Sequence, residues 1–200
     1  MVRTAWLPTS VRARLPERRD FVVRHLPRGG TGVEIGVWRG DFSQRLLRGA
    51  HPQVLHLVDP WTFAASYPQA WYGGAHAHNQ TDMDAICRAV TRRFADRPEV
   101  RIHRQTSLEA ADSFAASSLD WVYVDGDHTF AAVLADLRAY FPLVRVGGVL
   151  AGDDFGVQGW WQDGVTRAVH AFVREHADVR LESIHAGQFV MRRTDPTQTG

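Results

Sequence analysis

Short apolar runs and helical patterns alternate along the chain. Seven segments have the apolar, β-branched character of strands, and they are residues 32–37, 54–58, 100–103, 119–124, 148–151, 180–184 and 188–192. Apolar residues at helical spacing separate most of these segments. Strands that alternate with helices predict right-handed βαβ units, and therefore a parallel sheet that is covered by helices on both faces.

The last two predicted strands have no helix between them. Only residues 182–187 join them, which predicts a hairpin with one strand antiparallel to the others. We therefore expect one doubly wound α/β domain over residues 1–200, with a seven-stranded, mostly parallel sheet and a C-terminal antiparallel hairpin. An N-terminal helical segment occupies residues 1–30, and the long loop at residues 60–80 is a candidate lid.

Polar residues in front of the helical patterns predict where several helices begin. Three pairs have the spacing of a capping box, and these are Asp41 with Gln44, Thr81 with Asp84, and Thr106 with Glu109. Asp127 is placed to cap the helix that contains Val133 and Leu137.

The first strand runs into a turn that contains two glycines. Gly36 lets the backbone approach a ligand closely, and Gly40 permits the turn into the next helix. Trp38 stands where a dinucleotide-binding loop has its middle glycine, so the turn lacks the space that a pyrophosphate needs. Glu34 favours a cofactor with positive charge, such as S-adenosylmethionine with its sulfonium and ammonium groups.

The next two strands end in candidate contacts for the nucleoside part of such a cofactor. Asp59 follows the second strand, 19 positions after Gly40, where a carboxylate accepts hydrogen bonds from ribose hydroxyls. The alternative is that Asp59 only starts a turn with Pro60. Ser107, after the third strand, is a candidate contact for the adenine edge, and helix capping explains the neighbouring Thr106 equally well.

Four runs of sequence together resemble small bacterial class I S-adenosylmethionine-dependent methyltransferases. The runs are residues 33–40, 58–61, 123–130 and 146–155, and the resemblance spans about residues 32–173. The Asp-Gly-Asp-His run at 125–128 and the Gly-Gly-x-x-x-x-Asp-Asp run at 147–154 are the most specific parts. The chain looks most like macrolide-sugar and other natural-product O-methyltransferases. This resemblance implies methyl transfer to a hydroxyl of a small molecule, such as a sugar or a natural product.

Three carboxylates follow two neighbouring strands. Asp125 ends the fourth strand, where it is also expected beside the cofactor, and Asp153 and Asp154 end the fifth. Three like charges meet unfavourably unless a cation or a proton lies among them, and oxygen ligands suit Mg²⁺ or Mn²⁺. The resemblance to metal-dependent O-methyltransferases implies that these three residues hold Mg²⁺. The alternative is that Asp127 caps a helix and that Asp153 or Asp154 only caps a loop.

His128 follows the acidic end of the fourth strand. It is a candidate general base for the acceptor hydroxyl, with Asp125 as its catalytic neighbour. Alternatively, it is a first-turn helix residue with a local hydrogen bond. Aromatic residues in the candidate lid and after the acidic pair either stack on the acceptor or only anchor the loops, and they are Trp61, Phe63, Tyr67, Trp71, Tyr72, Trp160 and Trp161.

Composition narrows the expected partners to a small-molecule acceptor. With 23 basic and 22 acidic residues the formal net charge is +1, which gives no reason to expect nucleic acid. No run is apolar enough for a membrane span, and a lone Cys87 fits a cytoplasmic location. The basic segment 1–27 is either a solvated helix face or a contact for an anionic group. The oligomeric state stays open, a homo-oligomer included.

Other functions use a similar sequence pattern. An NAD-dependent oxidoreductase shares the strand, glycine turn and carboxylate, but Trp38 and the closing hairpin argue against it. A protein that binds S-adenosylmethionine without turnover, or another enzyme class on the same scaffold, remains an alternative.

Overall fold

The computed structural model describes residues 15–195 and residue 197. The first 14 residues of the predicted N-terminal helical segment, with Arg3, Arg12 and Arg14, lie outside the described residues. A helix, α1 (Leu15–His25), forms most of the remainder of that segment, and residues 26–30 are not helical.

One sheet organises the described part of the chain. Its strands are β1 (Thr31–Ile35), β2 (Val54–Val58), β3 (Val100–His103), β4 (Leu119–Val124), β5 (Val144–Gly152), β6 (Val179–His185) and β7 (Gln188–Arg193). The spatial order is β3-β2-β1-β4-β5-β7-β6. Strands β1 to β5 pair in parallel, and β7 is antiparallel to both β5 and β6. The predicted mostly parallel sheet with a closing hairpin is confirmed.

Helices cover both faces of the sheet. After α1 come α2 (Asp41–Ala50), α3 (Gln80–Arg93), α4 (Ser107–Ala111), α5 (Phe130–Tyr140) and α6 (Gly164–Glu175), with a π-helical turn at Trp71–Ala75 and a 3₁₀ turn at Phe141–Leu143. Trp121 and Tyr123 of β4 pack into the core beneath α1, α2 and α3, whereas Val122 and Val124 pack into the core beneath α5 and α6. None of the described helices has the length and apolar character needed to cross a bilayer.

One predicted capping box is present, and two others are wrong. The Thr106 hydroxyl accepts a hydrogen bond from the Glu109 N–H, and the Glu109 carboxylate accepts one from the Thr106 N–H at 2.9 Å. Helix α2 instead begins after Gly40, which has no side chain to serve as a cap. Helix α3 begins one residue before Thr81, because the Asn79 side chain caps it by accepting from the Asp82 N–H at 3.0 Å.

The cap of α5 is also displaced from its predicted residue. Thr129, not Asp127, accepts the hydrogen bond from the helix, which comes from the Ala132 N–H. Asp127 accepts from the Thr129 N–H at 2.8 Å and so shapes the turn before the helix. Asp127 therefore belongs to the loop after β4, beside His128.

The ends of β1 and β4 form the point where the strand order reverses direction. Strand β1 has β2 on one side and β4 on the other, and ligands of doubly wound sheets bind beyond the carboxyl ends of the strands at such a point. Helix α1 packs against α2, β5 and β7, which brings its first half toward the same edge of the sheet.

Candidate active site

The turn after β1 lies directly on the turn after β4. Gly36 has a φ of +84°, and a Cβ there would lie 2.1 Å from the carbonyl oxygen of Asp125. Gly40 has a φ of +76°, and a Cβ there would lie 2.8 Å from the ring of Phe94. Both positions therefore require glycine, for turn geometry and close packing. A cofactor contact at these glycines stays a prediction.

Glu34 is a carboxylate buried inside this edge of the sheet. It is 1% exposed, and the Ser43 hydroxyl of α2 donates a hydrogen bond to its Oε2 at 2.5 Å. Burial raises the pKa of Glu34 to about 8, against the opposing effects of Ser43 and the Arg19 charge. Glu34 is therefore protonated near neutral pH, and a cationic ligand would favour its ionised form.

Asp59 organises the two loops beside the predicted ribose position. Its Oδ2 accepts from the N–H groups of Val37 at 3.1 Å and Trp38 at 2.9 Å, and its Oδ1 accepts from Trp61 at 2.7 Å. Burial raises the pKa of Asp59, and these three donors oppose the rise. Asp59 thus makes the predicted turn contact. An oxygen that accepts one bond keeps a second acceptor position, so ribose binding stays a prediction.

Ser107 holds α4 against α5. Its hydroxyl hydrogen-bonds to the Asp136 carboxylate, and its carbonyl accepts from the Tyr140 hydroxyl at 2.8 Å. Burial raises the pKa of Asp136 to about 6, with Ser107 opposing the rise. The Ser107 side chain therefore serves the helix pair, and an adenine contact stays a prediction.

An open cleft of about 610 Å³ lies beside the loops after β2 and β3. Polar side chains dominate its wall, which comprises Pro60, Thr62, Gln80, Asp84, Arg104, Gln105, Thr106 and Glu109. Its volume is in the range of small-molecule sites. It is next to Asp59, so its position suits the nucleoside half of a cofactor.

The acidic ends of β4 and β5 meet around an arginine from α1. The Arg19 Nη2 lies 3.0 Å from Asp125 Oδ2 and 3.5 Å from Asp153 Oδ2. The Gln188 side chain donates to Asp153 Oδ1 at 2.5 Å, and the Asp154 N–H donates to the same oxygen at 2.7 Å. The predicted convergence of strand-end carboxylates therefore occurs, with an internal cation beside them.

These contacts do not fit the predicted Mg²⁺ ion. The guanidinium of Arg19 contacts both Asp125 and Asp153, and the second oxygen of Asp153 already accepts two hydrogen bonds. Asp154 has a φ of +60°, and its Oδ2 lies 3.5 Å from the His128 Nδ1. Among residues 15–195 and 197, no three His, Cys, Asp or Glu side chains are grouped as a metal site requires.

His128 lies between carboxylates and under an indole ring. Its Nε2 is 3.4 Å from Asp125 Oδ1, and its ring centroid is 4.8 Å from that of Trp161. Burial lowers the pKa of His128, and the charges of Asp153 and Asp127 oppose the fall. Within the described residues, no group reaches the buried Nε2 with hydrogen-bonding geometry. The imidazole is therefore neutral near pH 7.

Aromatic rings connect the loop at 60–80 to the loop after β5. The Tyr67 ring lies 4.9 Å from Trp160, which lies 5.7 Å from Trp161. Trp61 differs from these, because it is fully buried and its indole N–H donates to the Trp38 carbonyl at 2.9 Å. Trp61 therefore anchors its loop, and the Tyr67 and Trp160 contact closes over the His128 side of the site.

A family comparison identifies the fold as that of a known enzyme family. The family described as "Methyltransferase domain" matches residues 33–155, which is more than half of the chain. The chain belongs to this methyltransferase family. The matched segment of the methyltransferase begins in β1 and ends one residue after Asp154. It therefore contains Glu34, Asp59, Asp125 and His128.

Individual relatives of this methyltransferase are distant. The uncharacterized protein y4gI of Sinorhizobium fredii is 29% identical over 145 residues, which cover 66% of this chain and 14% of y4gI. The chain therefore spans about a seventh of that relative's length.

Two solved structures share the methyltransferase fold. The N-methyltransferase NodS of Bradyrhizobium japonicum is 12% identical, with a TM-score of 0.59, over 94% of this chain and 98% of NodS. A proposed caffeoyl-CoA O-methyltransferase of Staphylococcus aureus is 11% identical, with a TM-score of 0.61, over 93% of each chain. The predicted Rossmann-like methyltransferase fold is confirmed. The family and fold support S-adenosylmethionine-dependent methyl transfer.

Sequence reasoning missed three residues of the candidate site. Ser43 and Arg19 left a usable signal, because each is a polar residue on the apolar stripe of its helix. Ser43 is at helical spacing from Leu46 and Leu47, and Arg19 is at helical spacing from Val22. Gln188 left no such signal, since it is simply the first residue of β7.

Proposed function

We propose that this methyltransferase transfers the methyl group of S-adenosylmethionine to a hydroxyl of a small molecule, with His128 as general base. The observation that carries this proposal is the buried, neutral imidazole of His128 beside Asp125, at the edge of the sheet where ligands of this fold bind. No metal ion takes part in the proposed steps.

The cofactor residues divide according to charge. Glu34 and Asp125 would hold the positively charged methionine end, because both carboxyl groups lie at the β1 and β4 ends. Asp59 and the cleft beside it would hold the nucleoside, with Ser107 at the start of α4, beyond Thr106. Gly36 and Gly40 shape the turn between these two parts. When bound, S-adenosylmethionine supplies a methyl group that its sulfonium makes electrophilic.

His128 would accept the proton of the acceptor hydroxyl at Nε2. Asp125 Oδ1 at 3.4 Å and Asp154 Oδ2 at 3.5 Å would stabilise the imidazolium that forms. The indole of Trp161, with its ring centroid 4.8 Å from that of the imidazole, would shield one part of the imidazole from water. A base that is neutral near pH 7 is ready to accept this proton.

The acceptor would lie against the aromatic residues between the two loops. Tyr67 and Trp160 bring these loops together, and the Tyr72 hydroxyl is buried beside Asp127. Stacking on a ring face and a hydroxyl donor both suit a sugar or a planar natural product. An O-methyl acceptor is favoured because the base and its carboxylates serve to remove a proton.

The first test is calorimetric titration of S-adenosylhomocysteine into the wild type, Asp59→Asn and Asp120→Asn. Asp120 is the matched control, because it also accepts a backbone N–H, from Thr31 at 2.7 Å, but at the opposite edge of the sheet. We expect binding to the wild type and to Asp120→Asn, and a loss of at least about tenfold in Asp59→Asn.

NAD is titrated in parallel because an oxidoreductase is the rival function. Binding of NAD without binding of S-adenosylhomocysteine would contradict the proposal. Binding of S-adenosylhomocysteine with no methylation of any hydroxyl in a sugar and phenol panel would favour a binding protein without turnover.

A further inference from the structure

Among the residues that the structure describes, Arg19 is a cation that contacts the acidic ends of β4 and β5. Its Nη2 contacts Asp125 at 3.0 Å and Asp153 at 3.5 Å, and the exposed fractions of these three side chains are 25%, 14% and 2%. Carboxylates so removed from water require a proton or a counter-charge. The guanidinium supplies one positive charge from within the chain, which opposes the rise that burial causes in the pKa of Asp125.

The position of Arg19 follows from the packing of α1. Val22, Val23 and Leu26 are buried and lie on the same helical face as Arg19. A Cβ at Gly49 would lie 2.1 Å from Val23, so α1 and α2 approach each other at this glycine. The packing of α1 therefore places the Arg19 side chain at Asp125 and Asp153.

Two further contacts fix the components of this ion pair. The Cζ of Arg19 lies 4.8 Å from the centroid of the Phe42 ring, a cation–π geometry. The Tyr123 hydroxyl donates to Gln188 Oε1 at 3.0 Å, which turns the Gln188 amide toward Asp153. Asp153 is therefore oriented by hydrogen bonds to one oxygen and by Arg19 at the other.

A divalent ion would have to compete with this arrangement. It would need to displace the guanidinium from both Asp125 and Asp153, and Asp153 Oδ1 would still be engaged by Gln188. Mg²⁺ also demands a nearly octahedral set of oxygen ligands, which these directed hydrogen bonds oppose.

We propose that Arg19 is a built-in counter-ion that takes the place of a divalent metal ion at the ends of β4 and β5, so that this methyltransferase works without Mg²⁺. The inference rests on the proposed function for its catalytic meaning. Arg19 acts as a positioning residue, because its Nη2 contacts Asp125 Oδ2 at 3.0 Å while Asp125 Oδ1 faces the His128 Nε2 at 3.4 Å.

Electron paramagnetic resonance of Mn²⁺ tests the counter-ion directly, since bound Mn²⁺ loses the signal of the free ion. The samples are the wild type, Arg19→Ala, Arg19→Lys and the control Arg45→Ala, each with and without S-adenosylhomocysteine. Arg45 is a suitable control because its partner Asp20, at 3.2 Å, is exposed. Thermal melts establish that each variant is folded.

We expect Arg19→Ala to bind Mn²⁺ at least about tenfold more tightly than the wild type, and Asp153→Asn added to that variant to abolish the gain. Arg19→Lys keeps the charge and should behave like the wild type, which a purely structural role would not require. Tight Mn²⁺ binding by the wild type, or no gain in Arg19→Ala, would overturn the inference. If Arg19→Ala does not fold, Arg19→Gln takes its place.

Binding of S-adenosylhomocysteine separates this inference from the proposed function. Wild-type affinity should be equal in EDTA and in MgCl₂ if Arg19 replaces the metal. Failure of S-adenosylhomocysteine to bind under both conditions would remove the proposed function, whereas the Mn²⁺ result would still decide the counter-ion. An affinity that requires MgCl₂ would overturn the counter-ion and leave the proposed function in place.

Discussion

The carboxylates at this edge of the sheet differ in how far away in sequence their hydrogen-bond partners are. Asp59, on the side of β2, accepts hydrogen bonds from backbone groups only 2, 21 and 22 positions away in sequence. Asp125 and Asp153, on the side of β4 and β5, contact side chains that are 106, 134 and 35 positions away. Nearby turns therefore supply the partners of Asp59, whereas α1 and β7 supply those of Asp125 and Asp153.

The largest effect is expected on activity, from substitution of His128 beside the carboxylates that end β4 and β5. His128→Ala should lower kcat by about 10²–10⁴, because the general base is lost, while S-adenosylhomocysteine affinity stays within about twofold. The measurement is transfer of labelled methyl to an accepting hydroxyl compound. In the wild type, the acidic limb of kcat/KM should lie below pH 6.5, since burial lowers the pKa of His128 from that value.

His170→Ala is the control for that experiment, because His170 is an exposed helix residue beside Phe155. A fall in kcat of less than tenfold in His128→Ala would mean that another group removes the proton. The residues beside β4 and β5 would then not differ from Asp59 in the way proposed.

Glu34 gives the next largest effect, on stability. Its pKa is about 8 in the folded protein and 4.5 in a free side chain, so the folded state binds the proton more tightly. The free energy of unfolding should therefore fall as the pH rises from about 4.5 to about 8, by up to about 5 kcal/mol from this group. Urea unfolding of the wild type and Glu34→Gln at pH 5 and pH 8 measures the difference. Parallel pH dependence in the two proteins would refute the buried-acid interpretation.

Substitution of Gly36 tests the contact between the turn after β1 and the turn after β4. Gly36→Ala should lower the free energy of unfolding by about 3 kcal/mol, from a left-handed φ and from a Cβ placed 2.1 Å from the Asp125 carbonyl. Gly29→Ala is the matched control, because Gly29 has a φ of +73° with no atom within 4 Å of its Cβ, and about 1 kcal/mol is expected there. Equal losses would mean that the two turns do not pack closely.

The smallest effect is expected at Ser107. Ser107→Ala removes a hydrogen bond to the buried Asp136 and should cost about 1–2 kcal/mol of unfolding free energy. It should also raise the pKa of Asp136 above about 6, which NMR titration of the carboxyl measures. Ser118→Ala, at an exposed serine, is the control. If S-adenosylhomocysteine affinity falls as well, Ser107 contacts the nucleoside in addition to α5.

Local patterns predicted most of the fold. The apolar runs of β2, β3 and β4 were sufficient for their bounds, whereas β5 begins at Val144, four residues before its predicted start. Gly147, with a φ of +79°, lies at an irregularity in the pairing of β4 with β5 and does not end the strand. The helix starts were less predictable, because several capping residues stand close together, as Asp127 and Thr129 do, and the surrounding structure decides between them.

The candidate site was predictable to the extent that it is local. The convergence of Asp125 and Asp153 follows from strand adjacency, which the βαβ pattern gives. The contacts of Arg19 and Gln188 depend on how α1 and β7 pack, and no spacing along the chain encodes that. The magnesium ion was predicted from the charges of Asp125, Asp153 and Asp154. The first two contact Arg19, which is more than 100 residues away in sequence.

Arg19 and Gln188 both lie outside the segment at residues 33–155 that the family shares. The shared segment therefore carries the acidic residues, and the flanking regions of this chain carry two side chains that balance and orient them. Anyone who trims the protein to its family-defined boundaries, or exchanges its ends with those of a relative, would alter the electrostatics of the site without changing one residue of the shared segment. The regions that flank the shared segment therefore contribute to the charge balance at the ends of β4 and β5.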